Sequence, residues 1–400
     1  MNKFNSLILI LLFAFLIFLF SFIQNRPLYD DEPGSYDQIK IYLNRRWEIS
    51  EGFSKFPGFP FAIANLSLLI NKTDISNLRA INFLFALASI VIFYLINLEL
   101  DAENGVIKTV MFAFLPVLFP YQFLLYTENM SNFTLLLALY LAVRKKFFAS
   151  GIFSIISVSV RQINIIWLVF IFFYIYLNNT KQYLNIGNFI SHCRKNWLFL
   201  LTCFLFLIFG LVNKGFAVGD LSGAHPSFTI YPGNVYWLLF LFFVLFLPQN
   251  IYNISSVFLF LKKNKKLLYP ILFFIIVSAL TFNNSHPWNQ YPEHLRNRIL
   301  ILFNSYYLNK LIFFIIISYS LLSLSQIKLI NKVLYLIYPF SFLSLAPMWL
   351  IESRYSIIPL FLFILFKKKT NTVLEIITSF IFFCLSLLFY FVYLSQKFYL

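Results

Sequence analysis

The chain has 400 residues, of which 60% are hydrophobic, 21% aromatic and only 12% charged. A water-soluble fold of that composition would expose large apolar patches, so a soluble globular domain is excluded. The formal charge of +16 does not mark a nucleic-acid binder, because the cations fall in short clusters between apolar runs.

Those clusters are Arg144-Lys145-Lys146, Lys262-Lys263 with Lys265-Lys266, and Lys367-Lys368-Lys369. Basic loops between apolar segments are the positive-inside signal of cytoplasmic loops in membrane proteins. The fold class expected is all-α: a polytopic integral membrane protein, one transmembrane domain over residues 1–400, with about 11–13 spans of about 20 residues each.

In chain order, the apolar run Ser6–Phe22 lacks a small-residue cleavage site and reads as a retained first helix. A long first external loop follows, about residues 24–78. It gathers Asp30, Asp31, Glu32, Asp37, Glu48 and Glu51 from a chain with only 15 acidic residues. Within it, Phe59–Ile70 is too short to span and reads as an interfacial or re-entrant helix. Further spans are expected near 79–98, 106–125, 130–147, 148–160, 163–178, 197–213, 235–252, 268–282, 299–323, 333–350, 355–366 and 373–394. With Lys3 cytoplasmic, that order puts all three basic clusters inside and most acids outside. Cys193, Cys203 and Cys384 have no metal-ligand spacing and read as packing or loop cysteines.

The external face collects the groups that a reaction would use. Asp31 and Glu32 are the catalytic candidates. A carboxylate just outside the membrane takes a proton from a sugar hydroxyl as it attacks, and a second carboxylate beside it tunes it, orients it or holds a metal. The alternative is an acidic loop that caps a helix beginning near Asp37. Tyr126 and Glu128 come next, then Arg161, Gln162 and Asn164 between two apolar runs. Arginine suits phosphate because its planar fork binds two oxygens at once; the alternative is a structural Arg161 paired with Glu128. Asp220 and His225 follow in one external loop, His286 and Arg296 in another, and Glu352 with Arg354 at the start of a late helix. The histidine spacing does not suggest zinc, and no cofactor is expected, with a metal ion at the acidic loop left open.

In this order the motifs resemble the eukaryotic dolichyl-phosphate-glucose-dependent α-1,2-glucosyltransferases. The matching pieces are Tyr29–Glu32, Pro57-Gly58, Leu125–Glu128, Arg161–Trp167, Val212–Asp220 and Glu352–Tyr355. Ile163 stands where the family tends to have Thr, Pro33-Gly34-Ser35 replaces an apolar-aromatic-His run, and Glu293–Arg298 keeps the residue types of a late loop in a different order. The resemblance implies a GT-C type glycosyltransferase that takes a hexose, glucose above all, from a polyprenyl-phosphate donor. The acceptor would be a lipid-linked oligosaccharide, the sugar carbon inverted and no nucleotide used. It implies Asp31 as the base with Glu32 its neighbour, and Arg161 and Arg354 holding phosphate or fixing the pocket. The location implied is the endoplasmic reticulum membrane in a eukaryote, or the inner (cell) membrane in a bacterium. A bacterial relative using an undecaprenyl-phosphate sugar for cell-surface glycans, and a lipid-linked sugar transporter or flippase, stay open at this point.

Overall fold

The computed structural model describes residues 3–100, 105–179, 185–219 and 229–395. Among these residues the regular structure is helical, apart from one isolated antiparallel bridge between Leu329 and Lys367. In chain order the helices are α1 (Lys3–Ile23), α2 (Glu32–Leu43), α3 (Gly58–Leu69), α4 (Ile75–Leu100), α5 (Gly105–Ala113), α6 (Thr127–Val143), α7 (Phe147–Val160), α8 (Asn164–Asn179), α9 (Ile186–Lys195) and α10 (Trp197–Val212). They continue with α11 (Gly233–Leu245), α12 (Leu247–Lys263), α13 (Leu268–Thr281), α14 (Leu295–Ser305), α15 (Tyr307–Ser325), α16 (Ile337–Leu345), α17 (Ile357–Phe366) and α18 (Thr372–Leu394).

The protein is a polytopic integral membrane protein. Four described helices are long and apolar enough to cross a bilayer alone: Asn5–Ile23 within α1, then α4, α15 and α18. The bent pairs α9–α10 (81°) and α11–α12 (97°) raise that number to six. The larger number of spans expected from sequence included shorter apolar helices such as α7, α8 and α17.

Several expected spans are broken, and the breaks have local causes. The run 106–125 stops as a helix at Ala113, ahead of Pro116 and Pro120, and resumes only as a 3-10 turn over Phe119–Phe123. The run 235–252 breaks at Phe246, two residues before Pro248. The run 299–323 breaks at Tyr306, whose backbone is extended (φ −133°, ψ 149°).

The chain forms two compact units. The first comprises Met1–Ala113, Leu118–Phe228 and Asn331–Ser344; the second comprises Phe114–Val117, Thr229–Ile330 and Leu345–Leu400. In the first unit, α2, α3, α4, α6 and α7 share a core of Ile39, Tyr42, Phe59, Ile63, Leu78, Ile81, Leu125, Met130 and Val160. In the second, α11, α13, α14 and α15 close over Trp237, Phe240, Phe282, Phe313 and Phe314, where Trp237 stacks on Phe240 and the phenylalanine rings meet edge-on or tilted.

Gly58 opens α3 directly against the end of α7. A Cβ there would run into the Ser159 carbonyl, whose carbon would lie 2.7 Å away. Backbone cannot swing aside as a flexible side chain can, so the Pro57-Gly58 motif marks a close approach of two helices. Gly58→Ala is expected to cost about 1–3 kcal/mol through overpacking. Thermal unfolding in detergent measures it, and an unchanged midpoint would remove this reading of the motif.

Candidate active site

The first unit builds its site around a buried ion pair. Glu32 begins α2, with Pro33 just inside the helix, where a fixed φ is already helical. Its side chain and that of Arg79 on α4 are both fully buried, and the two join as a fork: Arg79 Nε donates to Oε1 at 2.9 Å and Nη2 to Oε2 at 2.6 Å. Each carboxylate oxygen takes a second hydrogen bond, Oε1 from the Leu125 N–H at 2.8 Å and Oε2 from the Tyr29 N–H at 3.1 Å. Arg79 spends its remaining donors on the chain leaving α1, reaching the carbonyls of Ile23 (3.1 Å), Arg26 (2.6 Å) and Pro27 (3.1 Å). A helix C-terminus presents unsatisfied carbonyls and negative dipole charge, so a guanidinium there caps it.

One turn along α4, Asn82 donates to the carbonyls of Leu124 (2.6 Å) and Tyr126 (3.0 Å). Arg79 and Asn82 thereby fasten the exit of α1, the start of α2 and the entry of α6 to one helix. The Tyr126 hydroxyl completes the arrangement by accepting the Asp31 backbone N–H at 2.9 Å. Asp31 occupies the N-cap position of α2, yet its side chain does not cap that helix and is exposed. Asp30 before it has a left-handed backbone (φ 57°), a conformation that aspartate tolerates better than most residues. An exposed carboxylate thus sits on backbone pinned from both sides, at a helix N-terminus that favours negative charge.

Glu128 and Arg161 form a second ion pair at 3.0 Å, with Glu128 buried and Arg161 nearly so. The pairing weighed from the sequence is present. Arg161 lies in the break between α7 and α8, in extended conformation. Asn164 is buried and closes the same break, donating to Ser131 Oγ (2.8 Å) and to the Ser157 carbonyl (3.0 Å). Gln162 donates to the Ser54 carbonyl at 3.0 Å, and the Val218 N–H donates to that same oxygen at 3.0 Å. Gly219 follows with φ 76°, where a Cβ would lie 2.5 Å from the Phe53 carbonyl. The strand of chain at 53–54 is therefore held by two distant motifs. Asp220 and His225 lie outside the described residues.

The remaining candidates belong to the second unit. Glu352 is buried and pairs with two arginines, Arg296 at 3.2 Å and Arg354 in close contact. Asn234 fixes this segment by accepting the Glu352 N–H at 3.1 Å and donating to the Met348 and Leu350 carbonyls at 2.8 Å each. Asn289 likewise exchanges two hydrogen bonds with the Ile351 backbone, both at 2.9 Å. His286 is buried beside Trp349, ring centroids 4.6 Å apart, and its Nδ1 accepts the Trp288 N–H. One carboxylate serving two guanidiniums leaves this cluster net positive, which suits an anionic ligand.

Among the described residues, no three His, Cys, Asp or Glu side chains converge as a metal site. The residues that reasoning from sequence passed over are Arg79, Asn82, Asn234 and Asn289. Their signal was present in the sequence: a lone arginine at the start of an apolar helix demands a buried partner.

Comparison with known proteins bears on the same region. Residues 28–187 match the model of the DIE2/ALG10 family, which takes in Asp31, Glu32, Arg79, Tyr126, Glu128 and Arg161. The resemblance read from the motifs holds. Three relatives share the name Dol-P-Glc:Glc(2)Man(9)GlcNAc(2)-PP-Dol alpha-1,2-glucosyltransferase. The Debaryomyces hansenii protein is 31% identical over 30% of this chain, the Candida albicans protein 29% over 67%, and the Homo sapiens protein 26% over 52%. The chain spans less than two thirds of their own lengths: 30%, 65% and 52% respectively.

Removing one partner of the buried fork leaves the other charge stranded. Arg79→Met is expected to lose about 3–5 kcal/mol of stability, and pairing it with Glu32→Met to recover part of that loss. Asp37→Asn, which breaks a surface pair with Lys40, is the control expected to change nothing measurable. Thermal melts of the parent, the two single variants, the double variant and the Asp37→Asn control test this; additive losses in the double variant would contradict the coupling.

Proposed function

We propose that the protein is a membrane glycosyltransferase that moves a hexose, glucose first among candidates, from dolichyl phosphate to a lipid-linked oligosaccharide. The linkage formed would be α-1,2, the sugar carbon would be inverted, and the setting would be the endoplasmic reticulum, in assembly of the N-glycosylation precursor. The observation that carries this reading is the family match over residues 28–187, within which an exposed carboxylate is mounted on an immobilised backbone. The named relatives supply the donor and acceptor classes.

Asp31 acts as general base. Its carboxylate accepts the proton of the acceptor hydroxyl as that oxygen bonds to the anomeric carbon. The bond from that carbon to the phosphate oxygen breaks, and the electron pair leaves with the polyprenyl phosphate. Glu32 acts beside it as the group that fixes Asp31, since both its oxygens face Arg79 and backbone donors. Tyr126 holds the Asp31 backbone, and Glu128, Arg161, Gln162 and Asn164 are the proposed substrate-side residues of the α7–α8 break and the chain at Ser54. The Arg296–Glu352–Arg354 cluster with His286 is the second unit's candidate for an anionic part of a lipid-linked substrate. GT-C architecture suits such substrates, because an isoprenoid tail must remain in lipid while its sugar meets a polar site.

Asp31→Asn is expected to lower transfer from radiolabelled dolichyl-phosphate glucose by at least about 100-fold, the scale of a lost general base, with folding unchanged. Near-normal turnover in that variant would remove the base assignment. Transfer from undecaprenyl-phosphate glucose but not the dolichyl donor would favour a bacterial-type substrate.

A further inference from the structure

We propose that the second unit carries a hexose subsite for the sugar of the donor, formed by the Trp288 ring and the Asn284 amide; this rests on the transferase reading above. Four rings stand in a row there. Trp288 meets His286 with centroids 5.6 Å apart, His286 meets Trp349 at 4.6 Å, and Trp349 lies along Tyr231 at 5.9 Å with planes 20° apart. His286 is buried and Trp349 has neighbours on two sides, whereas Trp288 ends the row and is 42% exposed.

The row is held on fixed backbone. Asn234 donates to the carbonyls on either side of Trp349, those of Met348 and Leu350, and the Trp349 indole N–H donates to Ser285 Oγ at 3.1 Å. Asn297 donates to the Trp288 carbonyl at 2.8 Å and accepts from Asn289 at 3.0 Å, while Asn289 also exchanges hydrogen bonds with Ile351. Asn297 follows Arg296 in the chain, and Ile351 precedes Glu352. The ring row and the Arg296–Glu352–Arg354 cluster therefore stand on the same two segments, fastened through one pair of asparagines. A sugar carried directly on a phosphate needs that arrangement, an aromatic face for the ring beside a polar group for the anion.

A pyranose presents C–H groups on its faces and hydroxyls around its rim. The electron-rich face of an indole takes the C–H side. The rim needs a few placed polar groups, the usual composition of a small-ligand site. Asn284, two residues before His286, supplies one. It is buried, at 2% exposure, its Nδ2 donates to the Asn289 carbonyl at 3.4 Å, and its backbone carbonyl accepts from Gln290. Among the described residues no donor reaches its side-chain oxygen. An acceptor buried without a donor costs stability, and a sugar hydroxyl in that place removes the cost. A tryptophan that only anchored the chain at the membrane surface would call for no such acceptor beside it.

The test measures binding of dolichyl-phosphate glucose and of dolichyl phosphate to the full chain in detergent, each variant being compared with the parent for each lipid separately. Trp288→Ala is expected to weaken dolichyl-phosphate glucose about 10-fold and to leave dolichyl phosphate unchanged, with Trp288→Tyr restoring most of the loss. Asn284→Leu is expected to give a similar loss for the glucose lipid alone, while its melting midpoint stays level or rises because the unpaired oxygen is gone. It keeps the test open should Trp288→Ala not fold. Unchanged binding of dolichyl-phosphate glucose in both variants would overturn the subsite, as would equal losses for the two lipids, which would mark a lipid or phosphate contact. Transfer of glucose by the parent is assayed alongside. Transfer with unchanged binding in the variants would overturn the subsite and leave the transferase reading standing; selective loss of the glucose lipid in a chain that transfers no glucose would support the subsite and overturn that reading.

Discussion

The first unit depends on the buried fork between Arg79 and Glu32. An arginine and a glutamate with no exposed side-chain surface are costly to desolvate, and they persist here because every strong donor and acceptor around them is used. The pair is more than a local tie. Glu32 orders the turn at Tyr29 and the segment entering α6, while Arg79 caps the chain leaving α1. Three separate parts of the sequence are thereby brought to one point on α4. What emerges at that point is Asp31, next in the chain to the buried glutamate yet itself exposed.

The motifs that carry the family resemblance serve mostly as architecture around that carboxylate. Pro57-Gly58 permits two helices to touch, and the Gln162 amide and the Val218 backbone meet at one Ser54 oxygen. Asn164 seals a helix break that would otherwise leave polar backbone buried. Such residues are constrained because each satisfies a buried group, and the proposed chemistry needs only a few exposed groups standing on them.

Much of this was legible in the sequence. Apolar run length located nearly every helix, and the crowding of acids after the first helix located the site. Pairing of Arg161 with Glu128 was readable from an arginine between apolar runs and a glutamate at the head of another. The breaks were less legible. Proline explains those near Pro116 and Pro248, but the break at Tyr306 has no proline; the polar Asn304-Ser305 precede it, and Asn309 donates across it to the Leu302 carbonyl and Ser305 Oγ. Asp31 and Glu32 read as twin carboxylates because sequence does not reveal which of two adjacent side chains turns inward. The start of α2 at Glu32 rather than near Asp37 settles that direction. Arg79 read as the edge of a span, since its partner lies 47 residues away.

The account comes down to an exposed Asp31, beside a buried Glu32, on the membrane face opposite the basic loops. Cysteine labelling with an impermeant maleimide in sealed microsomes tests it most directly, in a chain with Cys193, Cys203 and Cys384 changed to serine. Asp31→Cys should react only once the lumenal side is opened, Lys145→Cys should react from outside at once, and Glu32→Cys should stay unlabelled in the folded protein. Labelling of positions 31 and 145 from the same side, or of position 32 as readily as 31, would contradict it.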